Sequence, residues 1–487
     1  MPQIFLPVMF LAPAVAGVVC LTTRKPRVSE YTTLLASLLV LAASVPVLLG
    51  ALHQPTTFWA SYVIVDDLGA WVMLCVAIVY ALSTLYAIGY MRLLKEDDRL
   101  PRFYALFSGF AITMLGACVM NNIGVYWIAI ELTTLISTFL VGFEEEAEST
   151  EAAWKYIVVV SAGITLALLG TVLFYWGGSF VLGPTYSMTW AVLRAAAPRI
   201  YPPLLTVSFL LVLVGYGTKA GLVPMHTWLP DAHSESPAPV SAMLSGALLN
   251  SAMLGIARFL SILNLTSVSR FAHTAVVSFG ILSFVVAALF ITRQTGIKRL
   301  MAYSSVEHLG IQALGLGFGG PLGIAGALYH MLNHSLNKSL MFFGAGNAMR
   351  GYETKEIAGI RNILSVFPVT GCLWLAGAVA IAGAPPFALF LSEFTILRAG
   401  LAGDYHWAVF LFLVFLIVVF IAFLAHFRRM YFARASGISV RTLTGVFWRG
   451  LPMWLAFLPL LVLGLWWPRT LWAAFIKIAA ELGGGLH

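Results

Sequence analysis

Lys219 lies in a hydrophobic run, in GYGTKAGLVP, and Glu131 lies in another, VYWIAIELTTLISTFL, with no other charge for nine residues on either side. A charged side chain at such depth costs about 2.5–3.5 kcal/mol on insertion scales, so its presence points to use. A lysine and a carboxylate that approach each other in an apolar medium hold each other's charge, and changing their separation changes the lysine's affinity for a proton. That is a chemistry of loading and releasing protons. The plainer alternatives are a static ion pair that fixes two helices, or a lysine that snorkels to the interface. Farther on, His330, His334 and Lys338 recur every four residues and share one helical face, flanked by Asn333 and Asn337. Histidine titrates near neutral pH and relays protons. Metal binding by His330 and His334 would need a third ligand, none is evident in the sequence, and Lys338 would oppose a cation. KRLMAYSSVEHLG adds Ser304, Ser305, Glu307 and His308, the last two pointing about 100° apart on a helix. Glu393 follows Ser392 and the pair Pro385-Pro386, and reads as the outlet-side carboxyl. His226, Asp231, His233 and Glu235 read either as an entry vestibule or as ordinary polar loop residues.

These groups need a scaffold, and composition says which. The 487 residues are 60% hydrophobic and only 10% charged, against about 25% charged in soluble domains, and the mean hydropathy is +0.92. The chain reads as an all-α polytopic membrane protein set in a lipid bilayer. Its net charge of +8 resides in loop arginines and carries no nucleic-acid signal. Cys20, Cys75, Cys118 and Cys372 are far apart in apolar segments and offer no metal or iron–sulfur site, and no glycine-rich nucleotide motif is present. No cofactor is expected in this chain; redox or ATP chemistry belongs to a partner. The first 20 residues lack the basic start of a cleaved signal peptide and read as an uncleaved span.

At roughly 20 apolar residues per span, about fourteen spans are expected, near 4–22, 31–52, 68–90, 103–120, 122–142, 154–177, 202–226, 238–262, 271–291, 299–319, 322–345, 364–398, 407–427 and 451–467. The seventh is interrupted by Gly215, Gly217, Gly221 and Pro224, the twelfth by Ala384-Pro385-Pro386. With the N-terminus outside, 19 of the 28 lysines and arginines fall in cytoplasmic loops and 7 outside, with Lys219 and Lys338 within the membrane. That split follows the positive-inside rule and puts both termini on the outer side of a bacterial or archaeal plasma membrane. The acidic loop FEEEAESTE, 143–151, breaks the trend and reads as solvated surface or a docking site. Asp66, Asp67 and Arg92 read as interfacial. Lys219 follows Glu131 by 88 residues and Glu393 follows Glu307 by 86. Two units of five spans follow, 103–262 and 271–430, after three spans in 1–102 and before a last span and short tail in 431–487. An odd number of spans per unit forces opposite orientations, and interrupted spans at matching places mark transport sites.

GTKAGLVPMHTWLPDAHSESPAPVSAMLSG, KRLMAYSSVEHLG, HMLNHSLNKSLMFFGAGN and APPFALFLSEF resemble the antiporter-like subunits of respiratory complex I, Mrp-type cation/proton antiporters and membrane-bound nickel–iron hydrogenases, above all the F component of hydrogenase-4. The resemblance covers about residues 60–430. It implies fourteen helices with two inverted five-helix repeats, discontinuous helices seven and twelve, and cofactor-free proton translocation driven by a redox partner. It places the family's helix-five glutamate on Glu131, its helix-seven lysine on Lys219, its helix-eleven histidines and lysine on His330, His334 and Lys338, and its helix-twelve ionisable group on Glu393. The implied partners are other membrane subunits and a peripheral cytoplasmic arm. One departure stands out. Relatives carry a lysine or histidine in helix eight, where SAMLSGALLNSAMLG offers Ser245 and Asn250, which do not titrate near neutral pH. The competing functions are a Mrp-type sodium or potassium/proton antiporter subunit, the membrane module of an energy-coupled inorganic carbon uptake complex, and a structural anchor. The long lateral C-terminal helix of one branch has no room after Trp467.

Overall fold

The computed structural model describes residues 2–94, 97–432 and 440–483, so the expected loop cations Lys95 and Arg434 lie outside the described residues. The chain is a helical bundle with one antiparallel hairpin, β1 (Thr56–Phe58) and β2 (Val63–Val65). Three helices come first: α1 (Pro2–Thr23), α2 (Pro26–His53) and the deeply buried α3 (Asp67–Met91). Asp66 caps α3 by accepting from the Gly69 amide at 2.9 Å, and pairs with Arg258 at 2.6 Å. Arg258 therefore lies buried at a helix end rather than in an outer loop, and Asp66 neutralises it.

The first unit holds α4 (Leu100–Val119), α5 (Ile123–Val141), α6 (Ala147–Leu182), a short α7 (Trp190–Ala196), then α8 (Pro202–Ala220) and α9 (Trp228–Glu235), which are the two halves of one interrupted element. It closes with α10 (Ala238–Met243), a π turn at Leu244–Leu248 and α11 (Leu249–Leu263). Asn122 separates α4 from α5 by capping α5 through the amides of Gly124 and Val125. The second unit runs α12 (Ser269–Ile291), α13 (Ile297–Phe318), α14 (Gly320–Tyr352), a single turn α15 (Ile363–Val366), the halves α16 (Pro368–Ile381) and α17 (Ala388–Ala402), and α18 (His406–Phe432). In each unit the first helix packs on the second, the second on the third, and the third on both halves of the interrupted element. Alternation of the crossings makes α8 and α16 enter from opposite faces. The architecture is thus two inverted five-helix repeats.

Both interruptions are built alike. α8 stops at Gly221 (φ +79°), where the Leu222 amide reaches back to Gly217 O and the Gly221 amide to Thr218 O. α16 stops at Gly383 (φ +69°), where the Ala384 amide reaches Val379 O and the Gly383 amide Ala380 O. Each is a left-handed helix stop that glycine tolerates best, and a proline follows three residues later, Pro224 or Pro386, each after a cis bond. Superposing the two stops corrects one expectation. The residue equivalent to Lys219 is Ile381, and Glu393, ten residues past Gly383, is matched by Asp231, ten past Gly221. The near-equal charge spacings therefore do not reflect equivalent positions.

Among the described residues, eleven helices are long and apolar enough to cross a membrane. The expected tenth and eleventh spans, α13 and α14, have 22 and 33 residues but carry the polar groups singled out above, which dilute their apolar character. The expected twelfth is divided by its interruption. α19 (Val446–Leu465) is followed not by a loose tail but by α20 (Arg469–Gly483), which packs on α14. The acidic loop is not free surface either. Glu144 pairs with Arg350 at 2.8 Å, Glu145 with Arg99 at 2.6 Å and Glu146 with Lys355 at 3.6 Å, so it fastens basic segments from three other parts of the chain. Arg92 is held by buried Glu30 rather than standing alone at the interface.

Close approach of α6 and α8 sets the position of Lys219. A β-carbon on Gly215 would lie 2.4 Å from the Ala167 amide nitrogen. Gly215→Leu is expected to force the two helices apart and to destabilise the chain by about 1–3 kcal/mol or more, read as a lower midpoint in denaturant unfolding from mild detergent.

Candidate functional site

Two buried polar clusters flank the two interruptions. The first gathers at the end of α8. Lys219 is fully buried in the last turn, where the helix C-terminus favours a cation. Its Nζ donates to Thr134 Oγ1 and to Tyr156 Oη, both at 2.8 Å, and lies 5.1 Å above the Tyr156 ring. Glu131 does not touch it. Thr134 Oγ1 donates onward to Glu131 Oε2 at 3.5 Å, and Ser161 Oγ donates to Glu131 Oε1 at 2.7 Å. The expected carboxylate–lysine couple exists, but it runs through a threonine hydroxyl that accepts from the lysine and donates to the glutamate. Glu131 is only half-buried. Ser137 and Tyr156 extend the cluster at 2.7 Å. Thr134, Tyr156 and Ser161 escaped the sequence reading. Thr134 sits one turn from Glu131 and was within reach of helical spacing; Tyr156 and Ser161 arrive only by the packing of α6.

The second cluster surrounds the end of α16. His308 Nδ1 lies 3.0 Å from His330 Nε2, and His308 Nε2 donates to Ile381 O at 3.1 Å, a carbonyl freed by the helix stop. His330 Nδ1 meets Ser392 Oγ at 3.0 Å. The Glu393 carboxylate is 4.0 Å from His308 Nδ1 and fits against Gly383, where a β-carbon would lie 2.2 Å from its Oε2. His334 stacks beside His308 at 5.6 Å between ring centroids, with no protein partner on either nitrogen. Lys338 Nζ donates to Met301 O at 3.0 Å, and neither oxygen of Glu307 has a protein partner.

The elements between these clusters supply hydroxyls and amides. Ser245 meets Ser305 at 2.7 Å, and Asn250 donates to Ser335 Oγ and to Gly246 O, each at 2.9 Å. These contacts line the π turn, a feature that often marks functional positions in helices. No printed hydrogen bond joins the Lys219 cluster to the histidines. Trp228, which donates to Thr218 O at 2.8 Å, and His233 stand between them. Expecting a single hydrogen-bonded line is therefore wrong: the arrangement is two clusters with a gap.

The expected entry group divides. Asp231 is held by Arg299 at 2.6 Å and by Lys155 at 3.3 Å, and Glu235 by Lys355 at 2.8 Å, all on the face that carries the acidic loop. Glu235 also lines a cavity of about 300 Å³ there with Lys298 and Arg350. His226 lies in the interruption, its Nδ1 3.3 Å from Pro224 O. His233 is not at the surface. It is fully buried, unpartnered at both nitrogens, and 5.3 Å from the ring of Phe342, one helical turn from Lys338. Lys298 is likewise buried, not a loop cation, and donates to the carbonyls of Ser234 (2.9 Å) and Ser236.

Thr134→Val keeps the shape and removes the hydroxyl between Lys219 and Glu131. Proton movement through the chain is expected to slow about tenfold, the effect of roughly 1.4 kcal/mol on a barrier, read by dye quenching in inverted vesicles.

A fold with two inverted interrupted helices, each stop lined by buried ionisable groups, defines a multi-pass membrane protein of antiporter-like construction. Residues 120–420 match the family model described as NADH:quinone oxidoreductase/Mrp antiporter, TM, and the chain belongs to that family. It is 41% identical over 303 residues to a hydrogenase-4 component F homolog of Methylacidiphilum infernorum, covering 62% of this chain and 64% of that protein. It is 30% identical over 342 residues to hydrogenase-4 component B of Escherichia coli, covering 67% and 49%. The match thus spans between half and two thirds of those relatives' length. In architecture the chain is similar to a chain of the membrane-bound sulfane sulfur reductase, an archaeal respiratory membrane complex (TM-score 0.88, 22% identity, 98% and 97% covered). It is similar also to chains of the Mrp complex of Dietzia sp. (0.86, 19%, 99% and 97%) and of Thermus thermophilus respiratory complex I (0.77, 24%, 96% and 97%).

Proposed function

We propose that this chain translocates protons as a membrane subunit of a larger redox-driven complex of the hydrogenase or complex I class. One observation carries the reading. Buried polar atoms without a protein partner concentrate on α14 and the elements around it: both nitrogens of His233 and His334, both oxygens of Glu307 and Glu393, and the amide oxygens of Asn250, Asn333 and Asn337. Buried polar groups are almost always satisfied, and where protein does not satisfy them ordered water does. A dozen such atoms in one region mark a wet interior that carries protons between titratable groups. The gap beside His233 is bridged in the same way.

In this reading protons enter from the basic face, which is cytoplasmic, near Glu235, Lys298 and His226. They load the Lys219–Thr134–Glu131 relay or pass by His233 to Lys338 and His334, and reach the His308–His330–Glu393 group. Both termini then lie on the outer side of a bacterial or archaeal plasma membrane. Electron-transfer chemistry resides in partner subunits and a peripheral arm, and this chain contributes none. The missing titratable residue in helix eight is replaced by the Ser245–Ser305 and Asn250–Ser335 contacts, which orient water.

A sodium or potassium/proton antiporter is the second reading, favoured by the near-complete overlap with a Mrp complex chain. The native complex, purified in mild detergent and returned to vesicles, separates the two. Proton movement that requires an electron donor supports the redox reading. Proton movement driven by a sodium or potassium gradient with no donor, and a complex free of redox subunits, overturns it.

A further inference from the structure

The hydrogen-bond partners of His308 and His330 assign their protons. Ile381 O can only accept, so His308 carries its proton on Nε2. Ser392 Oγ donates to Leu389 O at 2.8 Å, so it accepts from His330, which carries its proton on Nδ1. The nitrogens left over, His308 Nδ1 and His330 Nε2, are then two lone pairs facing each other at 3.0 Å. Such a pair is unfavourable unless a cation stands against both. Glu393 supplies a carboxylate to the same point. It is 4% exposed, has no protein partner on either oxygen, and lies 4.0 Å from His308 Nδ1. One donor atom from each of the three residues falls within 4.8 Å of the others.

We propose that His308 Nδ1, His330 Nε2 and Glu393 form a binding site for a divalent transition-metal ion of the zinc class. Two imidazoles and a carboxylate suit that ion, and three protein ligands leave a fourth position open. Metal-bound histidines fix their second nitrogen on a carbonyl, a carboxylate or another acceptor, and Ile381 O and Ser392 Oγ already do so here. Tetrahedral ligands about 2.0–2.2 Å from zinc stand roughly 3.3 Å apart, so a shift of about an ångström by the Glu393 side chain completes the set. Gly383 leaves the room for it: a β-carbon there would occupy the carboxylate's place. The pair anticipated from spacing alone, His330 with His334, is not the ligand pair; the third and fourth turns of α13 and the head of α17 supply the partners that the sequence hid. Lys338, which would oppose a cation, is two turns along α14 from His330 and tied to Met301 O at 3.0 Å.

Metal retention tests this without any transport measurement, so its outcome is independent of the proton reading. The full chain, with any affinity tag removed, is incubated in detergent with Zn²⁺ or Co²⁺, desalted and analysed for metal. The wild type is expected to hold one ion per chain, with the visible bands of tetrahedral Co²⁺. Glu393→Gln, which preserves shape, and His330→Ala are expected to fall to background, while His334→Ala retains the ion. A wild type that emerges metal-free, its histidine pair holding a proton alone, overturns the proposal. So does retention by Glu393→Gln equal to wild type.

Discussion

Lys219→Met is expected to lower proton movement by roughly a hundredfold, the low end of what a positioned proton carrier contributes, while the chain still folds and reaches the membrane. The two halves of that outcome have separate causes. Methionine fills the lysine's space and removes the cost of burying an ammonium, about 2.5–3.5 kcal/mol. Against that gain, the hydroxyls of Thr134 and Tyr156 lose a partner at 2.8 Å each, costing about 1–3 kcal/mol per orphaned group. Stability therefore changes little, and function is lost because no group in the last turn of α8 takes up and gives off a proton. Lys219→Arg sharpens the test. Arginine keeps the charge beside Thr134 but does not release its proton in proteins. If Lys219 only pins helices together, Lys219→Arg works like wild type; as a proton carrier, it fails like methionine. Denaturant unfolding and dye quenching on the same preparations check both halves.

Glu393→Gln is expected to lower proton movement by a similar factor, again roughly a hundredfold. The amide matches the carboxylate in size and sits in the same cradle against Gly383. It leaves the His308–His330 contact at 3.0 Å in place, so packing survives. What goes is the one acid facing His308 at the head of α17, the last titratable group before the half-helix that leads to the other face. The readout is the rate of vesicle acidification, set against the rate of the driving reaction in the same sample. A block at Glu393 slows the first more than the second in a complex that slips, and both together in one that is tightly coupled. In either case proton movement falls.

Much of this was legible in the chain before any coordinates. Gly221 with Pro224, and Gly383 with Pro386, interrupt helices because glycine takes the left-handed stop and proline cannot continue the ladder. His330, His334 and Lys338 share a face because four residues make about one turn. Other features depend on which helices meet. Thr134 stands between Lys219 and Glu131 only because α6 and α8 pack close enough to bring Tyr156 and the lysine onto α5. The acidic loop looked like solvated surface because its partners, Arg99, Arg350 and Lys355, are far away in sequence. His233 and Lys298 looked like mouth residues because short polar segments ordinarily are; here they fold inward beside α14. α20 looked like a tail because it is short, yet one side of it buries Phe475, Ile478 and Leu482. Charge spacing suggested the repeat for the wrong reason, since the equivalent of Lys219 is an isoleucine whose carbonyl, not its side chain, serves His308.

The most direct test of the central claim, that buried ionisable groups around two helix interruptions carry protons across the bilayer, is the number of protons moved per electron delivered. It is measured in vesicles of the native complex bearing Lys219→Arg in this chain alone. The account predicts a lower ratio, or a stalled reaction where coupling is tight, with the complex intact. An unchanged ratio at an unchanged rate would contradict it and leave these groups as packing.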